Sequence, residues 1–299
     1  MIRRDCAKMG RDLRSCHTQG EVPMQTRTIA SVTAFALLFT IACADSPDPL
    51  AAPGGQAPIK NGTPTGSAFG AVGALMYDFN GNGLVDGDDL LCTGSLVSPT
   101  VFVTAAHCVV WLPADAQLQV TFEPSLVPAP ATFIAATGFA FDPLFGHDQA
   151  HPHDLAVVFL PAGSTTGITP YNLPPAGYLD QLADAGSLKK AVFVNVGYGA
   201  SSNRTGRPTF GYDGLRNQSE SLFRTLTPAW LGLRMNAAAT GYGGDCYGDS
   251  GGPKFLASDP TTVVATVVTG DAICRATSWD YRLDTDVARG FLSSFVTLP

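Results

Sequence analysis

Three short segments carry residues able to break a covalent bond. The run "VFVTAAHC" (residues 101–108) ends on His107 beside Cys108, "HPHDLAVVFL" (151–160) opens an apolar stretch with Asp154, and "CYGDSGGP" (246–253) sets Ser250 among glycines. A serine hydroxyl is a weak nucleophile until a neighbouring base takes its proton. An imidazole does this best when a carboxylate fixes its tautomer. Glycines beside the serine let backbone N–H groups reach a developing oxyanion with no side chain in the way. Each segment alone is ordinary, since His beside Cys is commonly structural and Asp before an apolar strand is commonly a turn residue. The combination points to nucleophilic catalysis.

A fourth segment, "DFNGNGLVDGDDLLC" (78–92), has the spacing of a calcium loop. Counted from Asp78, side-chain oxygens fall at positions 1, 3, 5, 9 and 12 as Asp78, Asn80, Asn82, Asp86 and Asp89. Gly83 stands at position 6, where such a loop turns sharply, and Leu84 at position 7 would offer its carbonyl. Asp89 replaces the usual glutamate. The competing reading is a glycine-rich hairpin turn, because Asn-Gly and Asp-Gly are also the strongest hairpin signals. The expectation is a structural calcium ion and no cofactor for catalysis. A histidine-rich stretch, His147, Asp148, His151 and His153, has spacing that could ligate zinc, but a polar loop is the simpler reading.

The elements that must position these residues are strands. Charged residues are only 14% of the chain, while short β-type runs such as "AVGALMY", "VFVTA", "LAVVFL", "KKAVFVNVGYG" and "TVVATVVTG" alternate with Gly, Pro and Asp clusters. A Pro/Gly-rich passage at 161–177 divides them into two groups. Val287, Phe291, Leu292, Phe295 and Val296 recur at helical spacing, so one helix closes an all-β chain, with Asp284 or Thr285 as its N-cap. The formal charge of −7 offers no basic stripe to neutralise phosphates, which argues against nucleic acid as a partner.

The N-terminus reads as an export signal. "IASVTAFALLFTIAC" (29–43) is too short for a comfortable membrane span and follows Arg27, so residues 24–44 form a signal peptide and residues 1–23 an over-extended start. Two exits stay open: cleavage after Ala44, releasing a chain that begins at Asp45, or lipidation of Cys43 in a lipobox-like "TIAC". Residues 45–58 are a Pro/Gly/Ala linker or propeptide. Export places the chain where Cys92, Cys108, Cys246 and Cys274 can form two bridges. Asn203 and Asn217 begin N-x-[ST] triplets, which matter only in a glycosylating host.

Thr104-Ala105-Ala106-His107-Cys108, Asp154-Leu155-Ala156 and Gly248-Asp249-Ser250-Gly251-Gly252-Pro253, in that order, resemble the trypsin/chymotrypsin-like serine proteases. The resemblance runs from about residue 59 to the C-terminus. It implies two six-stranded antiparallel β-barrels (about 59–165 and 178–299) with a C-terminal helix, and the catalytic set His107, Asp154 and Ser250. It further implies an oxyanion hole from the Gly248 and Ser250 N–H groups and disulfides Cys92–Cys108 and Cys246–Cys274. It also implies an activation step in which a freed Ile59 amine meets Asp249; Pro58 precedes Ile59, so cleavage by another protease, cleavage after Lys60, or activation without a free amine all remain open. In the substrate pocket Gly244 stands where trypsin-like members carry Asp, Asp245 follows it, and Val268-Thr269-Gly270 replaces the wall "Ser-Trp-Gly". The expectation is an exported, monomeric endopeptidase acting on proteins or peptides, with a lean toward Arg or Lys before the cut bond. The alternative is a catalytically silent homologue that binds a partner in a calcium-dependent way.

Overall fold

The computed structural model describes residues 59, 61–148, 150–202 and 206–299. The signal peptide, the proposed start at Met24, Cys43, the linker and Asn203 lie outside the described residues.

A short strand, β1 (Thr63–Pro64), leads into the N-terminal half, which holds β2 (Val72–Met76), β3 (Leu90–Ser98), β4 (Val101–Thr104), β5 (Gln119–Thr121), β6 (Ile134–Ala135), β7 (Gly138–Phe141) and β8 (Ala156–Phe159). These seven pair antiparallel in the order β6-β5-β2-β3-β4-β8-β7. The outer strands β6 and β7 do not pair with each other, so this half is a half-barrel sheet and differs from the closed six-stranded barrel expected. The chain itself spans the gap. Only Ala136 and Thr137 separate β6 from β7; the Ala136 N–H donates to Leu118 O on one side and the Thr137 N–H to Phe159 O on the other. Counted as one bent strand, β6 and β7 restore the expected number. Gly94 of β3 is required by close approach, since a Cβ there would run into the Phe102 ring and the Val103 carbonyl.

The C-terminal half is a closed barrel. Strands β9 (Val192–Gly197), β12 (Asn217–Leu226), β13 (Trp230–Arg234), β14 (Pro253–Leu256), β15 (Ala265–Gly270) and β16 (Thr277–Arg282) run β12-β13-β16-β15-β14-β9, and β9 pairs back onto β12. A two-stranded ribbon, β10 (Ser201–Ser202) and β11 (Phe210–Gly211), stands beside it. β1 pairs with β12, strapping the start of the described chain to the C-terminal barrel. Arg216, 1% exposed, fastens that strap: its guanidinium donates to Val72 O, Phe122 O and Ala68 O at 2.9–3.0 Å and to Thr65 Oγ1 at 3.0 Å. The two halves share one apolar core in which Val72, Val103 and Val157 meet Val196, Phe255 and Tyr281.

Helices are few: α1 (Ala106–Val109), α2 (Tyr178–Asp184), α3 (Ala237–Thr240) and α4 (Asp286–Leu292). For α4 the cap is Thr285, whose hydroxyl accepts from the Ala288 N–H. Asp284, the other candidate, is buried and engaged elsewhere, accepting from Arg282 and from the Leu179 N–H at the start of α2. The sequence pattern gave no sign of α2, which begins directly after Gly177 at the end of the Pro/Gly passage. No described helix is long and apolar enough to cross a membrane.

Candidate active site

His107, Asp154 and Ser250 come from three separate elements that meet at the junction of the two halves. His107 lies on the single turn of α1 that follows β4, and Asp154 lies just ahead of β8, which pairs with β4. That pairing brings the two together: Asp154 Oδ2 is 2.7 Å from His107 Nδ1, and Asp154 Oδ1 accepts the His107 backbone N–H at 2.8 Å. The carboxylate side chain is 2% exposed and the imidazole 33%, so the acid is sealed while the outer face of the ring reaches solvent. An acceptor on Nδ1 places the proton there and leaves Nε2 as the basic atom.

Ser250 precedes β14 and lines the same cleft as His107. Its loop is held from both halves. The Thr93 N–H donates to Ser250 O at 3.0 Å, the Thr93 hydroxyl to Gly248 O at 2.9 Å, and the Gly251 N–H to Val267 O at 2.8 Å. Gly248 has φ +96, and a Cβ there would sit 2.9 Å from Gly199 Cα and 3.2 Å from Leu90 Cδ2, so only glycine fits. Among the described residues the N–H groups of Gly248 and Ser250 have no hydrogen-bond acceptor. No hydrogen bond joins the Ser250 hydroxyl to His107; such contacts commonly tighten only once substrate is bound.

Asp249 is fully buried, and its carboxyl accepts from Gly199 N–H and Cys246 N–H, each at 2.8 Å. Burial first, and the charge of Asp245 second, push it up to about 8. In this uncleaved chain Ile59 has no free amine to offer Asp249. Two backbone N–H groups close the carboxyl, and Ile59 is buried at φ 47.

The substrate pocket differs most from expectation. The cleft beyond Ser250 encloses about 440 Å³ and is walled by Met235, Val267, Val268, Gly270 and the Cys246–Cys274 disulfide. Gly244 cannot carry a floor acid, because a Cβ there would collide with the Met235 side chain. Asp245 does line the cleft, but it is not a free counter-charge. Its Oδ2 is bonded to Lys254 Nζ and accepts the Ser278 hydroxyl at 2.8 Å, while its Oδ1 is buried with no partner. Lys254, fully buried on β14, also donates to Asn195 Oδ1 at 2.8 Å and lies 3.5 Å from Asp280 Oδ1. Burial pushes Asp280 up to about 7 although Lys254 pulls the other way. Sequence reasoning missed Lys254, Asp280 and Asn195. The only signal was one polar residue in each of two largely buried strands, Asn195 in β9 and Lys254 in β14; Asp280 stands in β16 among Thr277, Ser278 and Arg282 and gave none.

The Asp78–Asp89 loop joins β2 to β3. Asp78 accepts from the N–H groups of Gly81, Asn82 and Gly83, Asn80 from Asn82, and Asn82 from Leu84. Asp89 is turned inward, 1% exposed, and accepts from Phe79 and Asp86 N–H. Among the described residues the only convergence of His, Cys, Asp or Glu ligand atoms is Cys92, His107 and Cys108, whose two sulfurs are covalently joined. Leu90, the first residue of β3 after the loop, packs beside Gly248. His153 is buried with its Nδ1 2.8 Å from Asp142 Oδ2. Asn217 is fully buried on β12, so its triplet is no accessible acceptor.

A closed barrel and a half-barrel sheet, with a His–Asp pair and a serine in a glycine-rich loop where they meet, define a mostly-β protein of the trypsin-like fold. The chain belongs to the trypsin family, whose profile matches residues 76–288. It is similar in fold to HL collagenase (17% identity, TM-score 0.60, covering 80% of this chain and 99% of that one). It is likewise similar to HBP (15% identity, TM-score 0.58, covering 81% and 98%). No curated protein matches the chain. Both disulfides implied by the resemblance are formed.

Proposed function

We propose that the protein is an exported serine endopeptidase. The observation that carries the reading is the 2.7 Å contact between His107 Nδ1 and Asp154 Oδ2 in a cleft that His107 shares with Ser250. Ser250 Oγ attacks the carbonyl carbon of the scissile bond while His107 Nε2 takes the hydroxyl proton. Asp154 stabilises the imidazolium, and the Gly248 and Ser250 N–H groups receive the oxyanion. Collapse of the tetrahedral species passes the proton from His107 to the leaving amine and leaves an acyl-enzyme. Water then attacks that ester by the same route in reverse. Family membership supports protein or peptide substrates, and the acid at Asp245 supports Arg or Lys before the cut bond. Incubation with an unfolded protein should yield new peptide N-termini by mass spectrometry. Failure to cleave unfolded protein or any fluorogenic peptide at micromolar enzyme contradicts the reading.

Export is supported by the disulfides and by the signal-like residues 24–44. Mass spectrometry of the protein from its own host should find either a diacylglyceryl-modified Cys43 or a chain starting at Asp45. Recovery of protein that still carries Met1 or Met24 as its N-terminus contradicts export.

We further propose that the Asp78–Asp89 loop takes calcium as a structural ion. The donor set of Asp78, Asn80, Asn82, Asp86, Asp89 and the Leu84 carbonyl has the right chemistry, and the first three side chains already curl the loop about themselves. Asp89 must give up two backbone N–H groups to reach the ion, so the affinity expected is that of extracellular modules, roughly 10⁻⁴–10⁻³ M. Saturating calcium should raise the melting temperature and slow autolysis near residues 81–87. Absence of calorimetric binding up to about 10 mM, well above that range, leaves the loop a turn.

A further inference from the structure

Beyond the serine, the floor of the cleft holds an unusual count of charges: two carboxylates, Asp245 and Asp280, and one lysine, Lys254, all at least nine-tenths buried. With Asp249, pushed up to about 8 by burial, still protonated, one negative charge is unmatched unless a further proton neutralises it. The Ser278 hydroxyl shows where that proton would sit. Its Oγ is 2.8 Å from Asp245 Oδ2 and 2.9 Å from Asp280 Oδ1, yet it has one hydrogen to give. Both contacts are hydrogen bonds when one carboxyl donates to Ser278 and Ser278 donates to the other, and because Asp245 Oδ2 already accepts from Lys254 Nζ, Asp280 is the better placed donor. Two carboxylate oxygens of the cluster, Asp245 Oδ1 and Asp280 Oδ2, are buried without a partner, and only the first belongs to a side chain that lines the cavity. An unpaired buried carboxylate oxygen is costly and seeks a donor. Met235 fills the space behind Gly244, and of the two acids lining the cleft, Asp245 and Asp271, the second is already taken by the Arg275, Ala276 and Thr277 N–H groups.

We propose that this floor is a proton-for-cation exchange site that makes substrate preference depend on pH. An Arg or Lys side chain enters against Asp245 Oδ1, the cluster gives up the proton shared by Asp280, Ser278 and Asp245, and the charges then balance as two carboxylates against Lys254 and the substrate cation. When the proton is retained, the floor is neutral and an uncharged side chain is accepted. The groups facing Asp280 are few. Lys254 reaches it from β14, Asp245 from the loop before the serine with Asp249 beyond it, and Ser278 from its own strand, while β13 and β15 present Leu231 and Val267 opposite. The elevation of Asp280 puts the exchange near neutral pH. This inference rests on reading the cleft as a peptidase's and specifies how its substrate pocket is regulated.

The test is binding, independent of catalysis. Ser250→Ala protein is titrated with benzamidinium and with uncharged benzamide by calorimetry at pH about 6, 7 and 8, in two buffers of different ionisation enthalpy. Benzamidinium affinity should rise roughly tenfold or more from the lowest to the highest pH, as linkage to a single titrating site allows. Buffer dependence should show a fraction of a proton released on binding, and benzamide should gain nothing. Asp280→Asn fixes the floor in its neutral state and should hold benzamidinium only at the weak, low-pH affinity at every pH, and Asp245→Asn should lose it. A pH-independent affinity in the otherwise unaltered pocket overturns the proposal, as do no benzamidinium binding at millimolar levels or a slope that survives Asp280→Asn. The slope and proton count of the unaltered pocket decide the matter even if either variant fails to fold. Hydrolysis without this slope would leave the peptidase reading standing and this one refuted; the slope without hydrolysis would do the reverse.

Discussion

Replacing Ser250 with alanine is expected to lower kcat by on the order of 10⁴-fold or more, and His107→Ala should do nearly the same. The two losses should not multiply in the double variant, because hydroxyl and imidazole act as one unit. KM should change little, since the pocket walls of Met235, Val267, Val268 and Cys246–Cys274 are untouched. Asp154→Asn should also be severe, because the amide in place of Oδ1 or Oδ2 disturbs one of the two contacts to His107. The check is steady-state kinetics on a fluorogenic peptide with protein of verified fold. Hydrolysis by Ser250→Ala within tenfold of the parent would remove Ser250 from the chemistry.

Lys254→Met should be the most destabilising single change outside the apolar core. It leaves Asp245 and Asp280 buried without their cation, a situation that costs about 3–5 kcal/mol. In a domain of this size that corresponds to a fall in Tm of roughly 10 °C. Adding Asp245→Asn and Asp280→Asn should recover most of the loss, because a fully uncharged cluster needs no counter-ion. The pH dependence has a definite sign. Asp249 and Asp280 are raised in the fold, so their contribution to stability is complete in acid, below the ordinary carboxylate range. It is lost as pH climbs toward about 7 to 8. Tm of the parent should therefore decline across that window, and more steeply in Lys254→Met. An unchanged Tm in Lys254→Met would mean that the lysine is not the cation on which the cluster depends.

The parts of the fold legible in the sequence are those whose chemistry tolerates little substitution. His107, Asp154 and Ser250 stand in short motifs with fixed neighbours, and the glycines at 248 and 251 are demanded by positive φ. The strand runs were readable because burial on both faces leaves little but apolar residues in them. The pocket was not readable. Whether Asp245 faces substrate freely or is held by a lysine depends on β14 lying beside β9 in the register that sets Lys254 opposite Asn195, and on Asp280 reaching the same interior from β16. No local pattern encodes that meeting of three strands. The bend at Ala136–Thr137 that links the two edges of the N-terminal half-barrel is likewise set by pairing partners 18 or more residues away in Leu118 and Phe159. The burial of Arg216 among carbonyls is of the same kind, since an arginine in sequence reads as surface until its acceptors are known.

The most direct measurement is covalent labelling with active-site phosphonates, one bearing an arginine-like and one a phenylalanine-like side chain, at about pH 8, where a catalytic imidazole is poised as a base. Mass spectrometry of the digested protein should find one phosphonyl group per chain on the peptide that carries Ser250, added faster from the arginine-like reagent. It should be absent in Ser250→Ala and much slowed in His107→Ala. Folded protein that takes up no label, or takes it up equally in Ser250→Ala, would contradict the assignment of this cleft as a serine peptidase.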